Sequence, residues 1–314
     1  MQKRWVRHFC PNLTLNLYRG WRRNGLKTWF QANKKTILLT LPASLLTLLT
    51  LYSIFQGLVF SFRDGWNEYW TMEAYTTLFS HPAFWDSLRF SLSVTMVSTV
   101  IALVAGTALA KVFYTYLARF HWKWLAWLPM LFPHFVAAYL IMVFFSQSGW
   151  IASLTYQLGL ITDPAEFLIL TNDQRGAGLI LAYVWKEIPF VMLMMLPVFY
   201  EMDHRLKDAV TTLGGGSFRR FWDVEWKYIQ PAMLEISVIL FAFIIGAFEV
   251  PYLIGATYPQ MLPVLSYNWF YGGDWGMRPS AFALIALLTL CILVFYYFLS
   301  RRIRRLRERM WGSV

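Results

Sequence analysis

The sequence predicts an all-α, polytopic membrane protein built as a bundle of six transmembrane helices. Of its 314 residues, 58% are hydrophobic and only 14% are charged, which lies outside the composition of soluble globular domains. Six apolar segments are long enough to cross a bilayer, which takes about 20 helical residues. The predicted spans are Thr36–Phe62, Trp85–Tyr114, Trp122–Phe145, Gly178–Tyr200, Ala232–Gly255 and Ser280–Leu299.

The lysines and arginines are concentrated on one side of the predicted membrane. Of the 28, nine precede the first span, three lie around the junction of spans two and three, five lie between spans four and five, and six follow Ser300. The other connecting segments contain only Arg63, Arg175 and Arg278. By the positive-inside rule, both termini and the segment between spans four and five are predicted to be cytoplasmic.

The chain divides into three predicted parts: a basic cytoplasmic arm over residues 1–35, a transmembrane domain over 36–300 and a basic cytoplasmic tail over 301–314. The arm mixes basic and aromatic residues, which indicates an amphipathic helix on the membrane surface, with a flexible arm as the alternative. No signal peptide is evident, so the first span is expected to remain as an anchor. The tail is interpreted as an anchor for lipid headgroups rather than a nucleic-acid patch, because it follows the last span directly.

Span two carries small residues four positions apart, and span three carries a histidine. Ala102, Gly106 and Ala110 predict a seam where two helix backbones approach closely, since small residues allow this in lipid. His134 has no acidic residue in its own turn, so a hydrogen-bonded structural role is preferred over a proton relay.

Span four contains two adjacent charges, Lys186 and Glu187, followed by Pro189. Charged side chains inside a membrane are costly and therefore face the bundle interior, a cavity or a partner. Neighbouring positions of a helix do not face each other, so each charge needs a partner of its own. A place on a solute path and a structural ion pair remain alternative interpretations.

The longest charged interruption in the C-terminal half is Asp203–Pro231. Within it, Leu206, Val210 and Leu213 recur at helical spacing, which predicts a short amphipathic helix over Arg205–Leu213.

Capping residues mark both ends of this predicted helix. Asp203 is a suitable N-cap, and the glycines from Gly214 to Gly216 tolerate the positive φ that ends a helix. Ser217 is then expected to cap a second helix. That helix carries Phe218, Phe221, Trp222 and Trp226.

This segment resembles the cytoplasmic loop, or EAA motif, of binding-protein-dependent ABC importer permeases. Asp208-Ala209-Val210 stand in place of Glu-Ala-Ala, and Leu213-Gly214 follow at the expected distance. Phe221 and Val224 are in register, whereas Trp226-Lys227 replace the usual Leu-Pro and the proline comes late, at Pro231.

The resemblance implies the type I ABC importer transmembrane fold, in a multi-pass protein of the bacterial inner membrane that forms half of a solute pathway. The implied partners are two ATP-binding subunits that bind ATP and magnesium, a second permease subunit, either related or identical, and an extracytoplasmic solute-binding protein. The residues implied to couple to the ATP-binding subunit are Arg205, Leu206, Asp208, Ala209, Val210, Leu213, Gly214, Phe218 and Phe221.

The end of span five resembles permeases for polyamines, iron, thiamine and phosphonates, through its Phe-Glu-x-Pro-x-x-x-Gly stretch from Phe248 to Gly255. Glu249 is an acid near the outer end of an apolar helix, which suggests that it lines the solute path. The alternative is that Glu249 caps the end of the helix. Glu187 and Glu249 favour a cationic solute, and Lys186 argues against it. The candidate path residues are Lys186, Glu187, Glu249 and Tyr252.

Several kinds of chemistry have no counterpart in the sequence. A Gly-x-x-x-x-Gly-Lys-Ser/Thr phosphate-binding loop is missing, so the chain is not expected to hydrolyse ATP. The five histidines and two cysteines show no metal-ligand spacing, and neither a catalytic site nor a cofactor is expected in this chain. A stand-alone secondary transporter or channel is the alternative function, but it would require inverted repeats that are not evident.

Overall fold

The chain folds into helices joined by short connections, in a computed structural model that describes residues 26–63, 69–117 and 128–311. Of the described residues, 82% are helical. Within the described ranges, extended backbone pairs only at an isolated antiparallel bridge between Arg63 and Trp70. The predicted all-α class is confirmed.

The α-helices, numbered in chain order over the described residues, are α1 Leu26–Ser61, α2 Glu73–Ser80, α3 Pro82–Val112, α4 Leu128–Leu131, α5 His134–Phe145, α6 Trp150–Gln157, α7 Ala177–Glu201, α8 His204–Thr212, α9 Ser217–Arg220, α10 Trp226–Gly246, α11 Glu249–Ile254, α12 Leu262–Tyr271 and α13 Arg278–Trp311. One π-helical turn, Phe113–Leu117, follows α3, and another, Phe221–Glu225, precedes α10. The 3₁₀ turns are Pro164–Glu166 and Trp275–Met277.

Six helical stretches of the described chain are long and apolar enough to cross a membrane, which confirms the predicted number of spans. They are Leu38–Ser61, Pro82–Tyr116, His134–Gln157, Ala177–Glu201, Ser217–Gly246 and Trp275–Glu308.

In the N-terminal unit, residues 1–59, all the described residues belong to helix α1. Apolar side chains of α1 such as Leu39 and Leu46 are exposed, as expected for a surface that meets lipid. Most of the predicted amphipathic arm, residues 1–25, lies outside the described residues. The helix itself begins at Leu26, ten residues before the predicted start of span one.

Span three is interrupted, although a continuous helix over Trp122–Phe145 is predicted. Residues 118–127 lie outside the described chain, and in the described part α4 ends at Leu131 before α5 begins at His134. Pro133 causes this break, because it has no N–H and because its ring disfavours helical backbone in the preceding residue.

The predicted bounds of span five, Ala232–Gly255, are wrong at both ends. Helix α10 begins at Trp226, with Pro231 inside it, and ends at Gly246. The remaining residues form the separate helix α11. Pro251 explains the interruption, because it cannot donate a hydrogen bond to the carbonyl of Ala247 and its ring crowds that carbonyl.

The predicted small-residue seam is confirmed where α3 packs on α7. Ala102, Gly106 and Ala110 are all buried. A Cβ atom on Gly106 would lie 2.5 Å from the Val191 Cβ and 2.9 Å from the carbonyl oxygen of Ile188. The two helices therefore approach so closely that only glycine fits.

A second apolar core forms where α2, α12 and α13 meet α10. Its buried residues include Leu78, Phe84, Leu262 and Leu284. At the other end of the bundle, Arg307 of α13 pairs with Glu235 of α10 at 2.5 Å. These contacts fix α10, whose first residues form the end of the charged segment Asp203–Pro231.

Gly106→Ala is expected to destabilise the protein, because overpacking a tight contact costs about 1–3 kcal/mol. The apparent melting temperature of the purified protein in detergent measures this. Gly246→Ala is the matched control, since nothing lies within 4 Å of a Cβ placed there. Equal melting temperatures for the two variants would contradict the close approach of α3 and α7.

Candidate coupling loop and solute-path residues

The segment between spans four and five contains the predicted amphipathic helix, observed as α8. It begins at His204, one residue before the predicted start. A side-chain oxygen of Asp203 accepts a hydrogen bond from the Arg205 N–H at 2.9 Å, which confirms the predicted N-cap.

The C-terminal end of α8 has the hydrogen bonds of a Schellman motif. Gly214 adopts a φ of +78° and donates to the Thr211 carbonyl at 3.0 Å, while Gly215 donates to the Val210 carbonyl at 2.8 Å. Both ends of α8 are thus fixed by local hydrogen bonds, and α8 is a defined element rather than a loose loop.

The second helix of the segment begins differently from the prediction. Ser217 is the first residue of α9 and Gly216 occupies the N-cap position, so the expected serine cap is wrong. The Ser217 hydroxyl instead accepts a hydrogen bond from the Arg220 guanidinium at 3.0 Å. A residue inside the first turn of a helix cannot also adopt the extended backbone of an N-cap.

The residues implied to couple to a partner divide into two groups. Val210 and Phe221 are half-buried and pack against the apolar core of the bundle. In contrast, Leu213 is 84% exposed and Phe218 is 76% exposed. The exposed group consists of Arg205, Leu206, Asp208, Ala209, Leu213, Gly214 and Phe218.

Four aromatic rings form a cluster next to α8. Ring centroids of successive neighbours lie 5.4–6.2 Å apart. Large apolar side chains left exposed beside polar ones mark surfaces that meet a partner or a membrane. The members are Phe218, Phe221, Trp222 and Trp226.

An ion-pair cluster connects α8 to the spans, and sequence reasoning missed it. Glu225 is buried, and its carboxylate accepts hydrogen bonds or ion-pair contacts from Lys111 of α3 at 2.6 Å and Lys207 of α8 at 3.3 Å. A buried carboxylate requires such partners. The one available signal was an acid within the apolar, aromatic run after Phe221, but the partners are distant in sequence.

Lys186 is buried in span four and is held by span three. Its ammonium donates to the carbonyl oxygens of Pro129 at 2.7 Å and Phe132 at 2.5 Å. The break before Pro133 leaves carbonyls of α4 without helical partners. Lys186 therefore satisfies backbone groups that the interrupted helix leaves free.

Glu187 has a separate partner, as expected for two adjacent charges. One of its carboxylate oxygens lies 3.4 Å from the His134 Nε2. His134 also contacts the Phe243 ring, with centroids 4.9 Å apart. The pair joins α7 to α5 inside the bundle.

Glu249 and Tyr252 lie on the surface of α11, away from these buried pairs. Both side chains are exposed, and among the described contacts no hydrogen bond or ion pair joins them to Lys186 or Glu187. The Tyr252 ring stacks on Phe248 and contacts Tyr267. The candidate path residues thus fall into two separate places. Among the described residues, His, Cys, Asp and Glu form no group that could hold a metal ion.

Residues 121–307 match the family described as "binding-protein-dependent transport system inner membrane component". The match covers more than half of the chain. The chain belongs to this family. It is a permease subunit of an ABC importer and a multi-pass protein of the inner membrane.

Two curated relatives illustrate the family. The spermidine/putrescine transport system permease protein PotB of Haemophilus influenzae is 24% identical over 257 residues, covering 77% of this chain and 84% of that protein. The molybdenum transport system permease protein ModB of Azotobacter vinelandii is 28% identical over 180 residues, covering 55% and 74%.

Solved structures share the fold. A bacterial ABC transporter that imports the acidic polysaccharide alginate superposes with a TM-score of 0.72 at 19% identity, covering 90% of the permease and 99% of that chain. The same kind of transporter, in complex with an alginate pentasaccharide-bound periplasmic protein, gives a TM-score of 0.70 at 19% identity, covering 89% and 98%. The inward-facing MetNI methionine transporter gives 0.51 at 16% identity, covering 72% and 99%.

Lys186→Met is expected to lower the melting temperature of the permease, because it leaves two carbonyl groups without donors, at about 1–3 kcal/mol each. Thermal unfolding in detergent measures the loss. Glu249→Gln is the control and is expected to leave the melting temperature unchanged, since that carboxylate is exposed. A normal melting temperature with lost uptake would instead favour a direct role of Lys186 in the solute path.

Proposed function

We propose that α8 is the coupling helix of the permease and fits a groove of an ATP-binding subunit. The observation that carries this proposal is a capped, nine-residue helix between two spans, with Leu213 exposed at its end and Phe218 exposed on the following helix α9. Short, rigid elements transmit motion better than loose loops. ATP and magnesium are bound and ATP is hydrolysed by the partner, while the permease itself is not catalytic.

We propose that this end of the bundle, together with both termini, lies in the cytoplasm. Lys111 and Lys207 both reach Glu225, and Arg307 reaches Glu235 nine residues after the start of α10, so basic residues of α3, α8 and α13 share one end of the bundle. The positive-inside rule assigns that end to the cytoplasm.

The permease is proposed to work with three kinds of partner: two ATP-binding subunits below, a second permease subunit beside it and an extracytoplasmic solute-binding protein above. The complex of the alginate transporter with its periplasmic protein supports the last of these by analogy. ATP binding can drive transport only if it favours the outward-open arrangement over the inward-open one. Alternating access of this kind is the proposed mechanism.

A small cationic compound, such as a polyamine, is the proposed solute. Glu249 and Tyr252 lie three residues apart on one exposed face of α11, which offers a carboxylate beside an aromatic ring. The ammonium of Lys186 already donates to two carbonyl oxygens, and this weakens the case that Lys186 binds an anionic solute. Iron, thiamine and phosphonates remain candidates, because the relatives carry solutes as different as spermidine and molybdenum.

Asp208→Lys and Gly214→Pro are each expected to abolish uptake while leaving membrane insertion intact. The first reverses a charge on the exposed surface of α8, and the second places proline at a φ of +78°, which its ring forbids. Uptake by the complete transporter and co-purification of the ATP-binding subunit are the measurements. Asp223→Lys is the control, since it reverses an exposed acid beyond α8. Normal uptake by both α8 variants would refute the coupling role.

Glu249→Gln is expected to raise the KM for putrescine uptake about tenfold, which corresponds to about 1.4 kcal/mol for one charged contact. Competition by unlabelled spermidine, thiamine and phosphonate compares the solute classes. Glu201→Gln, an exposed acid at the end of α7, is the control. Transport of an anion in preference to these cations would contradict the proposed solute.

A further inference from the structure

The contact between α8 and the spans depends on a carboxylate shared by two ammonium groups. Lys111 lies in the last turn of α3, Lys207 on α8, and Glu225 at the end of the π-helical turn that leads into α10. Lys111 binds Oε2 at 2.6 Å and Lys207 binds Oε1 at 3.3 Å. Each oxygen of Glu225 thus has its own cation, and three elements meet at one side chain.

Two aromatic rings complete the cluster and connect the same three elements. The Lys111 ammonium lies over the Phe221 ring at 5.2 Å, and the Lys207 ammonium lies over the Tyr114 ring at 5.6 Å. Tyr114 belongs to the π-helical turn after α3, and Phe221 to the one before α10. Each lysine therefore contacts both the carboxylate and an aromatic face on a neighbouring element.

Burial distinguishes the Lys207–Glu225 pair of this cluster from an ordinary surface ion pair, whereas the Lys111 side chain is half-exposed. Exposed pairs contribute little to structure because water and salt screen them. The Glu225 side chain is only 10% exposed and that of Lys207 is 17% exposed, so separating them leaves a charge without its partner away from water. The cluster resists the separation of α8 from α10.

Both π-helical turns lie at this level of the bundle. Such turns are rare, they insert one residue into a helix, and they are frequent at functional sites. The second turn ends at Glu225, which directs its carboxylate toward α3 and α8. The other side of α8, with Leu206, Asp208 and Leu213, is exposed.

We propose that Glu225 is the positioning residue that makes α8, the end of α3 and the start of α10 move as one body. This inference rests on the proposed coupling role of α8. When an ATP-binding subunit displaces α8, Lys207 carries Glu225 with it, and Glu225 carries Lys111. Without this connection, α8 moves while the spans remain in place.

Distances between spin labels test the inference without knowledge of the solute. Cys10 and Cys291 are replaced by serine, and labels are placed on the exposed positions Thr212 of α8 and Lys227 of α10. The permease is purified with its ATP-binding subunits, and pulsed electron spin resonance is recorded with and without ATP and magnesium. A second pair, Thr212 and the exposed Leu160, reports whether α8 moves relative to the outer loop.

In the otherwise unchanged permease, ATP is expected to shift the 212–160 distance and leave the 212–227 distance unchanged. In Lys207→Met and in Glu225→Gln, which keeps a hydrogen-bonding group, ATP is expected to shift the 212–227 distance as well. Lys35→Met, which removes an exposed lysine of α1, is the control and should behave like the unchanged protein.

The possible failures are distinguishable. If the ATP-binding subunits do not co-purify, or if ATP leaves the 212–160 distance unchanged, the proposed function fails and the inference fails with it. If ATP shifts that distance but the 212–227 distance stays fixed in both variants, Glu225 is not the connection and only the inference is overturned. The inference about Glu225 is also overturned if ATP changes the 212–227 distance in the unchanged permease.

Discussion

The permease satisfies polar groups inside an apolar bundle by giving each buried charge a partner on another helix. In lipid, an unpaired backbone carbonyl or carboxylate is too costly to persist. Lys186 binds the carbonyls of Pro129 and Phe132, and Glu187 lies against His134. These contacts stabilise span three where proline interrupts it and join it to span four. Charged residues that look like candidates for a solute path thus also hold the broken helix in place.

Helix α3 is held by close packing along its contact with α7 and by an ion pair at its C-terminal end. Along the contact of α3 with α7, Gly106 allows the backbones to approach until a Cβ would overlap Val191. Dispersion contacts of this kind fix the helices but do not choose among chemical partners. At the end of α3, Lys111 pairs with Glu225 instead. A packed region therefore continues directly into a region held by directional contacts, where α8 is attached.

Sequence patterns predicted the helical class and the number of spans, but neither the interruptions within spans nor the contacts between helices. The cap at Asp203 and the stop at Gly214 are local features, so they could be predicted from neighbouring residues. The interruptions at Pro133 and before Pro251 were missed because hydropathy is averaged over a window and does not respond to one missing N–H. The Lys111–Glu225 pair was missed because 114 positions separate its members. Hydrophobic spacing also grouped Val210 with Leu213, whereas the structure directs the first to the core and leaves the second exposed.

That separation of Val210 from Leu213 suggests how one short helix can serve two surfaces. An apolar side chain at the exposed end of α8 gains from burial only when a partner arrives, so that contact can form and break. The opposite side of α8 must stay attached to the spans throughout. The buried Glu225 carboxylate, which is paired with both Lys111 and Lys207, meets this requirement because separating it from these lysines leaves charges without partners. A helix held by apolar contacts alone could slide against the spans, since such contacts have little directionality. In the proposed coupling role, Lys207 and Val210 thus hold α8 on the bundle, and the exposed Leu213 offers a surface for reversible contact with the partner.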